Sequence, residues 1–159
     1  MSSGVAEARL FYPTGSGAER GTELSALLRS LGVKPARDGA VAEAIRQGFP
    51  VTVVDRLAKE LEIPLQRLLR IIALPSATLA RRRAKKRLSP QESDRLYRVV
   101  AAWAAALRLF EGDADAARRW LNEPARALGG RTPLENLDTE AGADEVRDLI
   151  GRLEHGVVT

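Results

Sequence analysis

The residues with the clearest chemical potential are six cations in seven consecutive positions, within the stretch LARRRAKKRLSP at residues 79–90. Cations at this density bind anions, and nucleic-acid phosphates are a frequent partner. A solvated helix face or a nuclear localisation signal has the same composition, although localisation motifs often match by chance. A membrane-surface helix needs a broad apolar face, which Leu79 and small alanines do not provide.

Other chemistries are limited by composition. The chain has no cysteine and a single histidine, His155, which excludes disulfides, thiolate metal sites and a histidine-rich metal cluster. Carboxylate pairs such as Asp113 with Asp115 suit helix capping and helix-dipole roles. The pair Gly129-Gly130 precedes a capped helix instead of forming a phosphate-binding loop. We therefore expect neither enzymatic activity nor a cofactor or metal.

The charge distribution divides the chain into three parts. Residues 1–64 have no net charge, residues 65–108 carry 11 Lys+Arg against 2 Asp+Glu, and residues 109–159 carry 6 against 11. The middle is therefore strongly basic and the end acidic. This asymmetry predicts two surfaces with two different partners.

The composition favours an all-α fold. At 159 residues, 45% of them hydrophobic, the chain can bury one moderate core. Its apolar residues are mostly Ala, Leu and Val, aromatics are only 4%, and no segment alternates like a half-buried strand. No apolar run approaches the roughly 18 residues of a membrane span and no signal peptide is evident, so we expect a cytoplasmic protein.

Two short helices joined by a tight turn are predicted around the basic stretch. The first follows Pro64, the turn is Ala73-Leu74-Pro75, and the second begins at Ser76 as its N-cap. This is the form of a helix-turn-helix at about residues 64–87, whose second helix enters the major groove. Arg81 can read guanine with both ends of its guanidinium fork. The predicted DNA-binding residues are Ser76, Ala77, Thr78, Arg81, Arg82, Arg83, Lys85, Lys86 and Arg87.

Periodic apolar residues and capping signals predict the remaining elements. We expect a mobile arm over residues 1–20 and helices beginning at Thr22, at an Asp38 cap and at Thr52. Ser89-Pro90-Gln91-Glu92 is a capping box that opens the longest helix. Its predicted core face comprises Leu96, Val99, Val100, Trp103, Leu107 and Phe110. A helix with Ala117, Trp120 and Leu121, a second capping box at Thr132–Glu135 and a last helix from Thr139 follow.

The order of these parts resembles the Xre/MbcA/ParS-type antitoxins of bacterial toxin–antitoxin systems whose toxins carry a RES domain. The resemblance covers roughly residues 50–158. Its motifs include PSATLARRRAKKRLSPQESDRL, RWLNEP, GGRTPLENLDTEAG and EVRDLIGRLEHG. It implies a homodimeric antitoxin with an Xre-like helix-turn-helix that binds the promoter of its own operon. It also implies a C-terminal domain that covers the active site of a RES-domain, NAD-degrading toxin.

The resemblance assigns residues by position. Thr78, Leu79, Ala80 and Arg81 match the recognition-helix phrase. The matches to the toxin-facing last helix and tail are Glu145, Val146, Leu149, Arg152, Leu153, Glu154, His155, Gly156 and Val157. Val158 adds a second apolar anchor in the tail. Two residues depart from the usual helix-turn-helix pattern, Leu69 where a small residue is common and Ala73 where glycine is common.

The predicted organisation is a flexible arm over residues 1–20, a helical region with the helix-turn-helix over 21–87, and a toxin-binding and dimerisation domain over 88–159. The predicted function is toxin neutralisation with repression of the antitoxin's own operon. The alternative is a free-standing transcriptional regulator whose C-terminal domain only dimerises.

Overall fold

The structure is a computed structural model that describes residues 17–35, 37 and 40–156, with side chains from residue 20 onward. Its α-helices are α1 (Gly17–Ser30), α2 (Val41–Gln47), α3 (Thr52–Leu61), α4 (Leu65–Ile71), α5 (Ser76–Lys85), α6 (Pro90–Leu109), α7 (Ala114–Leu121) and α8 (Glu140–Glu154). Two 3₁₀ turns, Arg126–Leu128 and Glu135–Asp138, lie between α7 and α8.

The predicted all-α class is confirmed for the part of the chain that the structure describes. Within those ranges no strand forms, and extended pairing is limited to an isolated bridge between Pro50 and Arg87. None of the helices described has both the length and the apolar character needed to cross a membrane.

Helix α6 is the central element of the core. The predicted capping box starts it, because Ser89 Oγ accepts from Glu92 N at 3.1 Å and Glu92 Oε1 accepts from Ser89 N at 2.9 Å. The predicted inward residues Leu96, Val99, Val100 and Trp103 are all at most 1% exposed, whereas Leu107 and Phe110 are partly buried. α1, α2, α3, α7 and α8 all pack against this helix. One core therefore serves the whole described chain.

Hydrogen bonds connect the beginning of α6 to the N-terminal part of the described chain. Phe49 N donates to Ser93 Oγ at 2.8 Å, and Leu88 N donates to Phe49 O at 2.9 Å. Gly48 has a φ of +88°, and a Cβ there would lie 2.2 Å from Leu88 O, so a side chain would not fit. The predicted functional boundary near residue 88 is thus not a break in packing.

The N-terminal elements differ from the predicted boundaries. α1 begins at Gly17, before the predicted start at Thr22, so residues 17–20 of the predicted arm are helical. Residues 1–16 and Asp38 lie outside the described residues. α2 begins after Ala40, which makes no side-chain cap.

Capping bonds order the C-terminal third as its sequence predicts. Asp113 Oδ1 accepts from Ala116 N, and Thr139 Oγ1 accepts from Gly142 N at 2.9 Å, so these residues cap α7 and α8. Glu135 N donates to Thr132 Oγ1 at 3.1 Å, which confirms the second capping box, although a 3₁₀ turn follows it.

Two large apolar residues that differ in burial should differ in how much they contribute to stability. Trp103 is 0% exposed and Leu153 is 39% exposed. Replacing Trp103 with Ala leaves a cavity in the core and should lower the free energy of unfolding by about 3–5 kcal/mol. Leu153→Ala, the matched control, should change it by no more than about 0.5 kcal/mol. Urea unfolding followed by circular dichroism measures both, and equal losses would contradict the assignment of α6 as the core helix.

Candidate functional site

Two consecutive turns in the chain have the same backbone geometry. Glu62 after α3 has a φ of 54°, and Ala73 after α4 has a φ of 51°. The residue that follows each closes the helix, with Ile63 N donating to Ala58 O at 3.0 Å and Leu74 N donating to Leu69 O at 2.9 Å. The segments LAKELEIP (57–64) and LLRIIALP (68–75) repeat this pattern. α4 is therefore shared by two overlapping helix-turn-helix units.

Exposure distinguishes the two units. α4 buries Leu68, Leu69 and Ile71, so little of its surface is open to a partner. α5 buries Leu79 alone among its residues. The second unit, formed by α4 and α5, therefore has the more exposed second helix.

The structure accommodates both departures from the usual helix-turn-helix pattern. Ala73 adopts the left-handed conformation that favours glycine, which costs an alanine on the order of 1 kcal/mol. Leu69 is 3% exposed and is part of the core, so its bulk fills space between helices. Neither residue disrupts the turn.

The outward face of α5 carries one arginine among small residues. At about 100° per residue, the side opposite Leu79 presents the exposed residues Ala77, Ala80, Arg81, Ala84 and Lys85. Arg81 also donates to Thr78 Oγ1 at 3.3 Å, which orients its guanidinium along the helix. Alanines allow a helix to approach another surface closely, and Arg81 then becomes the main polar group that such a surface meets.

Arg82 has an internal partner. Its Nε lies 2.6 Å from Glu92 Oε1 and 3.1 Å from Oε2, and the Glu92 side chain is only 6% exposed. Burial acts to raise the pKa of Glu92, but hydrogen bonds from Arg82 and from the Ser89 backbone outweigh it and lower that pKa. Arg82 therefore fixes α5 to the first turn of α6.

Arg83 makes a second, more exposed ion pair. Its two terminal nitrogens lie 2.8 and 3.0 Å from the carboxylate oxygens of Asp55 on α3. The hydrogen bonds from Arg83 lower the pKa of Asp55 despite its partial burial. Both side chains are over 40% exposed, so the pair contributes at most about 1 kcal/mol and can exchange partners.

The ends of α5 differ from the predicted caps. Pro75, and not Ser76, is the N-cap residue, so the predicted Ser76 cap is wrong. Ser76 Oγ instead lies 3.3 Å from the side-chain amide of Gln66, which links the starts of α5 and α4. Lys86 ends α5 with a φ of 65°, and Arg87 donates to Gly48 O at 2.8 Å.

Arg95 is a positioning residue that the sequence analysis missed. It lies on α6, one turn after Glu92, and its Nε donates to Ile72 O at 2.6 Å. That carbonyl belongs to the turn between α4 and α5. The i, i+3 spacing of Glu92 and Arg95 on one face of α6 was the available signal. Together these two side chains hold both the turn and α5 on the central helix.

The predicted toxin-facing residues divide by burial. Leu149 and Val146 are at most 5% exposed and belong to the core instead of the surface. Glu145 accepts from the Asn136 amide at 2.9 Å, and Glu154 accepts from Arg108 Nε at 2.8 Å. The exposed members at the end of α8 are Arg152, Leu153, His155 and Gly156. Val157 and Val158 lie outside the described residues.

The described helices thus form a helix-turn-helix whose second helix is basic and exposed, followed by a C-terminal helical part that packs on the same core. Residues 40–101 match the antitoxin Xre-like helix-turn-helix domain. Residues 105–156 match the antitoxin Xre/MbcA/ParS C-terminal toxin-binding domain.

Three relatives, each named antitoxin Xre, have similar sequences. The chain is 41% identical to that of Yersinia enterocolitica over 94% of its own length and 98% of the relative's. It is 39% identical to that of Photorhabdus laumondii, over 84% and 90% of the two chains. It is 32% identical to that of Pseudomonas putida, over 76% and 75%. The chain therefore belongs to the antitoxin Xre family, as its motifs predicted.

The two family matches meet inside α6, between residues 101 and 105. This places the first three turns of α6, with Glu92 and Arg95, in the helix-turn-helix domain. The last residues of α6, from residue 105 and with Arg108, fall at the start of the C-terminal domain, and Trp103 lies between the two matches. The two domains thus share one continuous helix.

The Arg82–Glu92 pair predicts a pH-dependent contribution to stability. Because the pKa of Glu92 is lowered in the folded protein, the stabilisation is complete above the ordinary glutamate pKa of about 4.3 and is lost as the pH falls through the folded value. Glu92→Gln should therefore lower the urea midpoint at pH 7, and its difference from the wild type should shrink by pH 3. The exposed Glu123→Gln is the matched control, and a difference independent of pH would contradict the role of the ion pair.

Proposed function

We propose that this chain neutralises a RES-domain, NAD-degrading toxin by covering its active site, and that it represses its own operon by binding promoter DNA. The match of residues 105–156 to a toxin-binding domain, which ends at the exposed end of α8, is the observation that carries the proposal. The chain itself has no catalytic activity in this proposal, requires no cofactor and acts in the cytoplasm. Residues 21–87 serve DNA binding and residues 88–159 serve toxin binding and dimerisation.

The DNA half of the proposal uses the outward face of α5. Arg81 reads a base edge in the major groove, while Ser76, Ala77 and Thr78 at the start of the helix lie beside the bases. Lys85, Lys86 and Arg87 lie near phosphates. Arg83 joins them by exchanging Asp55 for a phosphate, whereas Arg82 stays with Glu92 and positions the helix.

Dimerisation would set the distance between the two DNA-binding helices. A homodimer places two copies of α5 on one side of the duplex. Two major-groove half-sites on one face of B-DNA are about 34 Å apart, or a multiple of it. We propose that the C-terminal domain sets this separation, because α6 holds α5 at its beginning and continues into the C-terminal domain.

The toxin half of the proposal uses the end of α8 and the residues after it. Leu153 is exposed there, and Val157 and Val158 are the apolar anchors, with His155 and Arg152 beside them. Glu154 and Glu145 belong to the predicted set but have internal partners, so we assign them to positioning. The net negative charge of residues 109–159 complements a cationic pocket for an anionic dinucleotide, which would mainly speed association.

DNA binding should depend on Arg81 more than on its neighbours. Arg81→Ala should weaken binding to the operon's promoter by about 1–3 kcal/mol, or roughly 5- to 150-fold, in a gel-shift titration. Arg119→Ala, an exposed arginine on α7, is the matched control and should bind as the wild type does. Raising salt from 50 to 200 mM should weaken wild-type binding by orders of magnitude. Unchanged affinity of the Arg81 variant would place base reading on another element.

Toxin neutralisation should depend on the end of the chain. Deleting residues 155–159 removes the segment that we propose to plug the active site of the toxin, while leaving the core and α5 intact. The proposed RES-domain toxin should then consume NAD⁺ in the presence of the truncated protein but not of the full chain. Promoter binding by the truncated protein serves as the folding control. Full inhibition by the truncated protein would refute the plug.

A further inference from the structure

An apolar groove lies between α1 and the second half of α6. Its floor is formed by Ala26 and Leu27 of α1 and by Ala104 and Leu107 of α6, and it encloses about 440 Å³. That volume falls within the roughly 300–1,000 Å³ of pockets that bind small ligands. α1 precedes both family matches, which begin at residue 40. The groove is therefore a surface that neither matched domain contains by itself.

Both rims of the groove carry an acidic side chain. Glu23 and Glu111 are exposed at its edges. Arg108, which also lines it, is paired with Glu154 at 2.8 Å. The rim thus presents net negative charge around an apolar floor. A matching occupant carries large apolar side chains next to a cation.

The chain contains such a segment immediately before α1. Arg9 is followed by Leu10, Phe11 and Tyr12, the only run of three large apolar residues within residues 1–16. The four residues Pro13–Ser16 then lead to Gly17, the first residue of α1. The composition of this segment therefore fits the groove in both apolar content and charge.

Chain length also permits this docking. Glu23 lies six residues into α1, which corresponds to about 9 Å along the helix. The four residues between Tyr12 and Gly17 span up to about 14 Å when extended. A segment that turns back at Pro13 can therefore lie along α1 and reach the groove without any change in the helices.

We propose that residues 9–12 of the same chain dock in the groove between α1 and α6. Leu10 and Phe11 cover Leu27 and Leu107, and Arg9 faces Glu23. The docked segment closes the apolar surface beside the Arg108–Glu154 pair, and so covers the side of the C-terminal domain next to the end of α8. The groove is then an intramolecular site, unlike the surfaces proposed above for DNA and toxin.

Paramagnetic relaxation measurements on the full chain test this proposal. Because the chain has no cysteine, Glu111→Cys accepts a single nitroxide label at the far rim of the groove. The amide signals of residues 8–12 should lose intensity with the label at this position. They should not do so with the label on Ala80→Cys, on the outward face of α5. Equal effects from the two labels would overturn the proposal.

Further measurements identify the segment that occupies the groove. The double variant Leu10→Ser, Phe11→Ser should restore the amide signals in the Glu111→Cys background, and it leaves every residue of the described helices unchanged. Leu107→Glu or Ala104→Glu, which charge the floor, should restore them as well. Isotope-labelled chain without nitroxide, mixed with nitroxide-bearing chain without isotope, should show no loss. A loss in the mixed sample would show that a second copy occupies the groove and would overturn the proposal.

Discussion

The structure depends on burial of one face of α6. The face that contains Leu96, Val100 and Trp103 contacts helices from both ends of the chain, so neither matched domain has a core of its own. Because the hydrophobic contribution scales with the apolar area removed from water, the helix with the largest buried face decides how the others are arranged. The basic helix and the end of α8 are placed relative to each other by this one element.

Polar contacts at the first turns of α6 then fix the helix-turn-helix. Glu92 serves twice, as the third residue of the capping box and as the partner of Arg82, while Arg95 holds the carbonyl of Ile72. A buried carboxylate is costly without partners, and here its hydrogen bonds come from two elements. These contacts explain how a turn with alanine in the left-handed conformation remains defined. They also explain why a run of six cations is not uniformly available to a partner.

The charged residues of the C-terminal third are likewise divided between internal pairs and the surface. The acidic C-terminal third uses much of its charge internally, since Glu154 pairs with Arg108 and Glu145 accepts from Asn136. What it leaves at the surface at the end of α8 is an exposed leucine followed by a histidine and a glycine. This exposed leucine is the apolar group that the proposed toxin contact would use as an anchor.

The sequence alone determined the fold class, the capping boxes at Ser89 and Thr132, the core face of α6 and the family, because these follow from local periodicity, hydrogen-bonding side chains and short motifs. It could not show that Arg82 and Arg83 are paired, since their partners Glu92 and Asp55 are 10 and 28 residues away. Nor could it show that Leu149 is buried among neighbours from other helices, or that α1 and α6 enclose a groove. Those properties depend on contacts between segments distant in sequence, and only tertiary packing brings the segments together.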